Sequence, residues 1–175
     1  EIDYIEISEV TRGEIGNIVR YSRGSEPGRA KRRLRHGDTV ISTVRPDRGS
    51  YFLCVDPTPS LIASTGFAVL TAKENRWAFV YAFATAEEFG KELGRLADGG
   101  AYPAIRPEVV AGRSLVIPTA EEISTAFEKL CQPLLLRAEE ARKEFRTLSS
   151  LRDVLLPKLI SGDLRDAERI VGRAI

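Results

Sequence analysis

The sequence predicts an α+β protein in which a β-rich domain is followed by one long C-terminal helix. Three observations carry this expectation. Up to Ala72 the chain holds short runs of β-branched and aromatic residues separated by Gly/Pro-rich stretches. From Asn75 helical patterns take over. Between Ile123 and Leu159 apolar residues then recur at every third or fourth position without a break.

In chain order, "EIDYIEISEV" alternates loosely and reads as a strand, and the Gly/Ser/Arg-rich stretch up to Ala30 reads as loop. "GDTVISTV" (Gly37 to Val44) and "SYFLCVD" read as strands joined by "RPDRG", a turn carrying two arginines. "DPTPS" is a Pro-rich loop, and "STGFAVLTA" returns to strand. "RWAFVYAFAT" fits a buried helix and "AEEFGKELGRL" an amphipathic one. Thr85 with Glu88 three residues on forms a capping-box pattern at the second helix's start. "ADGGAYPAIRPEVV" is irregular, and "RSLVIP" (Arg113 to Pro118) reads as a short closing strand.

Thr119-Ala120-Glu121-Glu122 repeats the capping-box pattern and opens the last section. Pro133 should kink or divide the helix that follows, since it lacks an N–H and its ring clashes with the preceding turn. From Pro133 to Leu156 this helix alone would be about 36 Å long. A small β-rich domain cannot cover such a stripe, so the pattern favours coiled-coil-like pairing with a partner helix over folding back. Its contact residues would be Phe127, Leu130, Leu134, Ala141, Phe145, Leu148, Leu151 and Leu155. The organisation predicted is a domain over 1–118, a helical region over 119–162 and a tail over 163–175.

Composition narrows the function. From Arg20 to Arg48 nine Lys/Arg stand against only Glu26, Asp38 and Asp47, a local excess able to attract polyanions. Met is absent, so Glu1 is expected not to be the native first residue. No apolar run reaches the roughly 18 residues of a membrane span. Cys54 and Cys131, in apolar surroundings, are expected to be buried free thiols of a reducing, cytoplasmic compartment. His36 is the single histidine, which argues against a zinc site. No nucleophile elbow, zincin motif or phosphate-binding glycine run occurs, and Ser64-Thr65-Gly66 reads as a strand entry. The chain is expected not to be an enzyme.

Four stretches resemble one known family. They are "RAKRRLRHGDTVISTVRPDRG" (Arg29 to Gly49), "IASTGFAVL" (Ile62 to Leu70), "GGAYPAIRPEVVAGRSLVIP" and "LRDVLLPKLISGDL" (Leu151 to Leu164). Together they resemble the specificity subunits of type I restriction–modification systems: one target-recognition domain followed by one spacer helix. Complete members carry two of each, and this chain carries one. It is therefore similar to a half-subunit, to the C-terminal half of a whole one, or to the recognition end of a fused N6-adenine DNA methyltransferase.

The resemblance implies recognition of half of a bipartite site in double-stranded DNA. Phosphate contacts are expected from Arg23, Lys31, Arg32, Arg33 and Arg35. Arg45 and Arg48 are the leading base readers, because an arginine fork matches guanine O6 and N7. Thr43, Asp47, Ser64, Thr65, Tyr102 and Arg106 rank behind them. The partner helix would be the spacer of a second specificity half, or of a second copy, packed antiparallel. That bundle would dock the methyltransferase (modification) subunit and, with it, the restriction (motor/nuclease) subunit. The chain itself would bind no cofactor; S-adenosylmethionine, ATP and Mg would sit in those partners. Pro157 is expected to bend or end the helix, with Gly162 as the left-handed residue beyond it. A coiled-coil module without any DNA role is the alternative from another class.

Overall fold

The β-branched runs fold as short strands and the later patterns as helices in the computed structural model, which describes residues 1–163. The strands are β1 (Ile2–Ile5), β2 (Val10–Thr11), β3 (Glu14–Ile15), β4 (Val19–Tyr21), β5 (Ala30–Arg33), β6 (Thr39–Ser42), β7 (Tyr51–Leu53), β8 (Leu61–Ser64) and β9 (Phe67–Leu70). The helices are α1 (Trp77–Ala84), α2 (Glu87–Leu96), α3 (Pro107–Ala111) and α4 (Glu121–Ser161). Strands β4-β1-β8-β5 form a mixed sheet in which β1 and β8 run parallel; β7-β6-β9 form an antiparallel one, and β2-β3 a separate ribbon. The α+β reading, strands first and one long helix last, matches this order.

Strand β6 shows why the core has layers. All four of its residues are buried, because both faces are covered. Val40 packs with Ile5, Phe52, Ala63 and Phe67 between the two sheets. Ile41 packs on the opposite face with Phe89 and Leu93 of α2 and Val110 of α3. At the edge of the mixed sheet, Asp3 and Arg20 are directly opposed on β1 and β4, 2.7 Å apart. The Arg20 hydrogen bond, then that of Ser60, holds the Asp3 carboxyl below the usual range. Such a lowered carboxyl stabilises the fold above its unfolded pKa and loses that contribution as pH falls through the folded one.

Several sequence expectations are corrected. The stretch before Ala30 is not all loop, since it contains β3 and β4. "STGFAVLTA" is not one strand: its Ser64 ends β8 in one sheet, and Phe67 to Leu70 form β9 in the other. "RSLVIP" forms no strand; Val116 and Ile117 are exposed, while α3 packs beside β9. The capping box at Thr85 does not form, because its hydroxyl bonds back to the Tyr81 carbonyl (2.7 Å) and Ala86 occupies the cap position. Pro133 and Pro157 neither divide nor end α4. Both prolines are exposed, as are Lys129 and Asp153, whose carbonyls lose the N–H partner and can turn to water. Gly162 does adopt the left-handed conformation (φ 85°) just past the helix. Cys54 is buried as expected, Cys131 is only half-buried, and neither forms a disulfide. The tail beyond Asp163 lies outside the described residues.

Two compact units are present, Glu1–Leu136 and Arg137–Ile175. The first therefore includes the opening turns of α4, and their attachment is specific. Phe127, Cys131, Leu135 and Leu136 pack against Leu53, Trp77, Ala78 and Tyr81. Glu128 accepts hydrogen bonds from the N–H groups of Ala78 (3.1 Å) and Phe79 (2.9 Å), two of the four donors that a helix start leaves unpaired. Its carboxylate also suits the positive end of the α1 dipole. Gln132 bridges Glu128 and the Asn75 carbonyl (2.8 Å each), and Arg76 pairs with Glu121 (2.5 Å). Glu128→Ala should thus cost about 1–2 kcal/mol, like the loss of a helix cap, and lower Tm by several degrees. An unchanged melting curve would show that water replaces the carboxylate without loss.

Candidate nucleic-acid interface

Ser64 ends β8 in the mixed sheet and Phe67 begins β9 in the antiparallel one, so the chain changes sheets within Thr65 and Gly66. Gly66 fits because Ile7 leaves no room for a side chain: an added Cβ would collide with Ile7 Cδ1. The Gly66 carbonyl accepts two hydrogen bonds from Thr43, one from its N–H (2.9 Å) and one from its hydroxyl (2.8 Å). Next to it, Thr65 N–H donates to the Arg29 carbonyl (2.8 Å). On leaving β6, the Thr43 carbonyl accepts from Ile105 N–H (2.9 Å), and Arg45 N–H donates to the Pro103 carbonyl (2.8 Å). Three distant segments are thereby tied to one corner: the start of the basic strand, the exit of β6 and the loop before α3.

Arg45 is the most constrained residue there. Its backbone is left-handed (φ 47°, ψ 57°), and it opens the 3-10 turn Pro46–Arg48. Its guanidinium lies over the Tyr102 ring, 4.6 Å from the centroid, and Nη2 donates to the Ala101 carbonyl (2.6 Å). Asp98 and Ala104 exchange both backbone hydrogen bonds (3.1 and 2.7 Å) to close the loop carrying Tyr102, which is 73% exposed at its tip. On its other side the Pro46–Arg48 turn lies against α2. A Cβ at Gly94 would come to 2.9 Å from Asp47 Cβ, so the glycine permits the close approach.

The predicted site residues divide by position. Arg45, Asp47, Arg48, Thr65, Tyr102 and Arg106 sit on the segments joined at the corner; Asp47, Arg48, Tyr102 and Arg106 are exposed. Lys31 and Arg33 are exposed on β5, an edge strand whose start, Ala30, lies opposite Ser64. Arg32 between them is half-buried, and its Nε is buried without a hydrogen bond. Arg35 follows β5 beyond the Arg33–Ile62 pairing, toward the start of β8. Arg23 follows β4, whose Tyr21 pairs with Ile2 at the start of β1, so it too lies away from the corner. Arg29, which sequence reasoning did not place in the set, is exposed beside it.

Two assignments are corrected outright. Thr43 is 6% exposed with its hydroxyl spent on Gly66, and Ser64 is 0% exposed with its hydroxyl accepting from Gly66 N–H (3.3 Å). These hydroxyls hold the corner from within. On α4, Leu130, Leu134, Ala141, Phe145, Leu148, Leu151 and Leu155 are exposed, as are Val154, Leu156 and Ile160. Phe127 is not part of that surface: it packs edge-on against Phe79, centroids 5.5 Å apart, within the first unit. No helix among the described residues is long and apolar enough to cross a membrane.

No family model matches the chain. Over 78 residues it is 32% identical to the specificity subunit of the type I restriction enzyme MjaIX of Methanocaldococcus jannaschii, covering 45% of this chain and 18% of that protein. Over 99 residues it is 28% identical to the HindI specificity subunit of Haemophilus influenzae, covering 54% and 22%. The fold matches the HsdS subunit from Thermoanaerobacter tengcongensis with a TM-score of 0.61 at 24% identity, over 88% of this chain and 40% of that one. In sequence and in fold the chain is thus similar to type I restriction enzyme specificity subunits. A chain from a structure concerned with complex assembly and conformational transition of the type I R-M system matches similarly, with TM-score 0.63, 23% identity, and 91% and 42% coverage. The match spans about a fifth of the length of each curated specificity subunit and two-fifths of each solved chain.

The hydroxyl of Thr43 is testable apart from any ligand. Thr43→Val keeps the shape and the backbone bond to Gly66 but removes the second one. It should lower stability by about 1 kcal/mol in a denaturant titration. No change would mean that the backbone bond alone holds the corner.

Proposed function

We propose that this chain recognises one half of a bipartite site in double-stranded DNA, as a recognition domain and spacer helix of a type I specificity subunit, and is itself non-catalytic. The observation that carries this reading is the corner at Gly66, which gathers the exposed cations at Arg29 and Lys31, the Arg45–Arg48 turn and the Tyr102 loop. Cations on an edge strand suit phosphates, which position a protein on the duplex; an arginine fork on a rigid turn suits base edges, which specify. The exposed apolar stripe of α4 supports pairing with the spacer of a second specificity half or a second copy. On this reading modification and restriction subunits dock on the paired helices, and they hold the S-adenosylmethionine, ATP and Mg. The curated relatives, both specificity subunits, support the same assignment.

Replacing Lys31 and Arg33 by Ala should weaken binding to any duplex. It should also flatten the dependence of log affinity on log salt by about 0.9 for each phosphate no longer neutralised. An unchanged slope in a salt series would remove β5 from the interface.

The spacer is tested by length. Antiparallel pairing would put the two recognition domains at opposite ends of the paired helices, so helix length would set the gap between half-sites. Seven residues inserted after Arg142, with the apolar spacing kept, lengthen the helix by about 10 Å, or roughly three base pairs of duplex. In a competition among duplexes of different spacing, the variant should prefer a gap longer by that amount with both half-sites unchanged. A folded, paired variant that keeps the original gap would show that the helix is no ruler.

A further inference from the structure

Arg45 combines a left-handed backbone with a side chain held by contacts that the turn itself does not use. The left-handed backbone is strained for any residue but glycine or, less so, asparagine. The turn itself uses only backbone groups at this position, the bonds of Arg45 N–H to Pro103 and of Arg48 N–H to the Arg45 carbonyl (3.0 Å). Yet the side chain is held at two points by another loop, 56 residues away in sequence: the Ala101 carbonyl fixes one edge of the guanidinium and the Tyr102 ring one face. Backbone strain retained together with a locked side chain is the pattern of a preorganised recognition group.

We infer that Tyr102 is a positioning residue that holds Arg45 for a two-point contact with the guanine edge of a G·C pair. The inference rests on the DNA reading above and deepens it. A guanidinium carries five N–H donors, so the bond to Ala101 leaves enough for guanine O6 and N7 together. An arginine free to rotate must be ordered on binding and can settle on phosphate as well as on a base; one held on an aromatic face and a carbonyl has given up that freedom beforehand. The loop that presents Tyr102 needs Gly99 and Gly100, both at positive φ (118° and 49°), and closes on itself through Asp98 and Ala104. Its tip can therefore serve the arginine without touching the sheet core.

The test is selection from duplexes randomised across the half-site, using the full-length protein in its DNA-binding assembly, with enriched sequences counted. Arg45→Ala should erase the preference for guanine at one position. Tyr102→Ala should reduce that same preference about two- to fivefold, the worth of an exposed cation–π contact, and should change nothing further when Arg45 is already Ala. Tyr102→Phe, which keeps the ring, should select like wild type. Tyr102→Ala should leave the salt dependence intact, since no charge is removed. Arg45→Gly relieves the strained backbone, so it should melt at or above wild type while losing the guanine preference, which separates recognition from folding.

A Tyr102→Ala profile equal to wild type overturns the positioning role. So does an effect at a different base, or one that persists beside Arg45→Ala, because Tyr102 then makes its own contact. Uniform loss of affinity in Arg45→Ala with a flatter salt slope overturns the guanine contact in favour of phosphate. Failure of wild type to enrich any sequence is the distinct outcome that overturns the DNA reading itself.

Discussion

The carbonyl of Gly66 is the point on which the corner between the two sheets depends. It receives both the N–H and the hydroxyl of Thr43 at the place where the chain passes from one sheet to the other. An oxygen in so enclosed a corner would cost about 1–3 kcal/mol if left unpaired, more than one satisfied hydrogen bond gains. Thr43 can meet it because β6 ends one residue earlier and has no freedom of its own, with Val40 and Ile41 locked into cores on opposite faces. The burial of a four-residue strand thus fixes a hydroxyl, the hydroxyl fixes a sheet crossing, and the crossing sets where Arg29 and Arg45 lie.

A comparable constraint acts at the root of α4. Apolar contacts alone would let a helix slide or rotate on Trp77 and Tyr81, since such contacts are non-directional. Glu128 and Gln132 remove that latitude by bonding to named backbone groups at the start of α1. The domain's own demand for apolar side chains from α4 ends at Leu136. Beyond it Phe145, Leu148 and Leu151 remain exposed. The proline positions agree with this division. Pro133 and Pro157 stand on exposed turns of the helix, where the carbonyls they leave unpaired are open to water.

What could be read from the sequence was local. Strands β6, β7 and β9, helices α1 and α2 and the length of α4 follow from periodicity within each segment, and all are present. The misreadings below share a physical cause, which is competition from partners that the local pattern does not name. Thr85 had the spacing of a capping box, but its hydroxyl closes α1 instead of opening α2. "RSLVIP" had strand composition but pairs with no strand, and it is α3 before it that packs beside β9. Thr43 and Ser64 have the polar hydroxyls of candidate DNA contacts, and only the sheet crossing shows that they are buried. Glu128 could not have been singled out, because the donors that it satisfies lie 50 and 49 residues away and an exposed acid on a helix looks the same in sequence.

These distinctions bear on how one fold could serve different sequences. The bonds that assemble the corner run through main-chain groups of Arg29, Thr65, Gly66, Arg45, Pro103 and Ile105, with Thr43 supplying the side-chain hydroxyl that doubles its own backbone bond. A substitution at position 29 or 45 therefore leaves those hydrogen bonds in place, provided that the residue at 45 tolerates a positive φ. The Tyr102 loop is likewise closed by backbone bonds between Asp98 and Ala104, outside both sheet cores. Side chains that could face a duplex are thus carried on a frame indifferent to most of their identities, whereas Thr43, Gly66 and the residues of β6 are tied to the fold. Specificity can then change at the exposed positions without a matching loss of stability, because the energy that holds the corner together resides in different atoms.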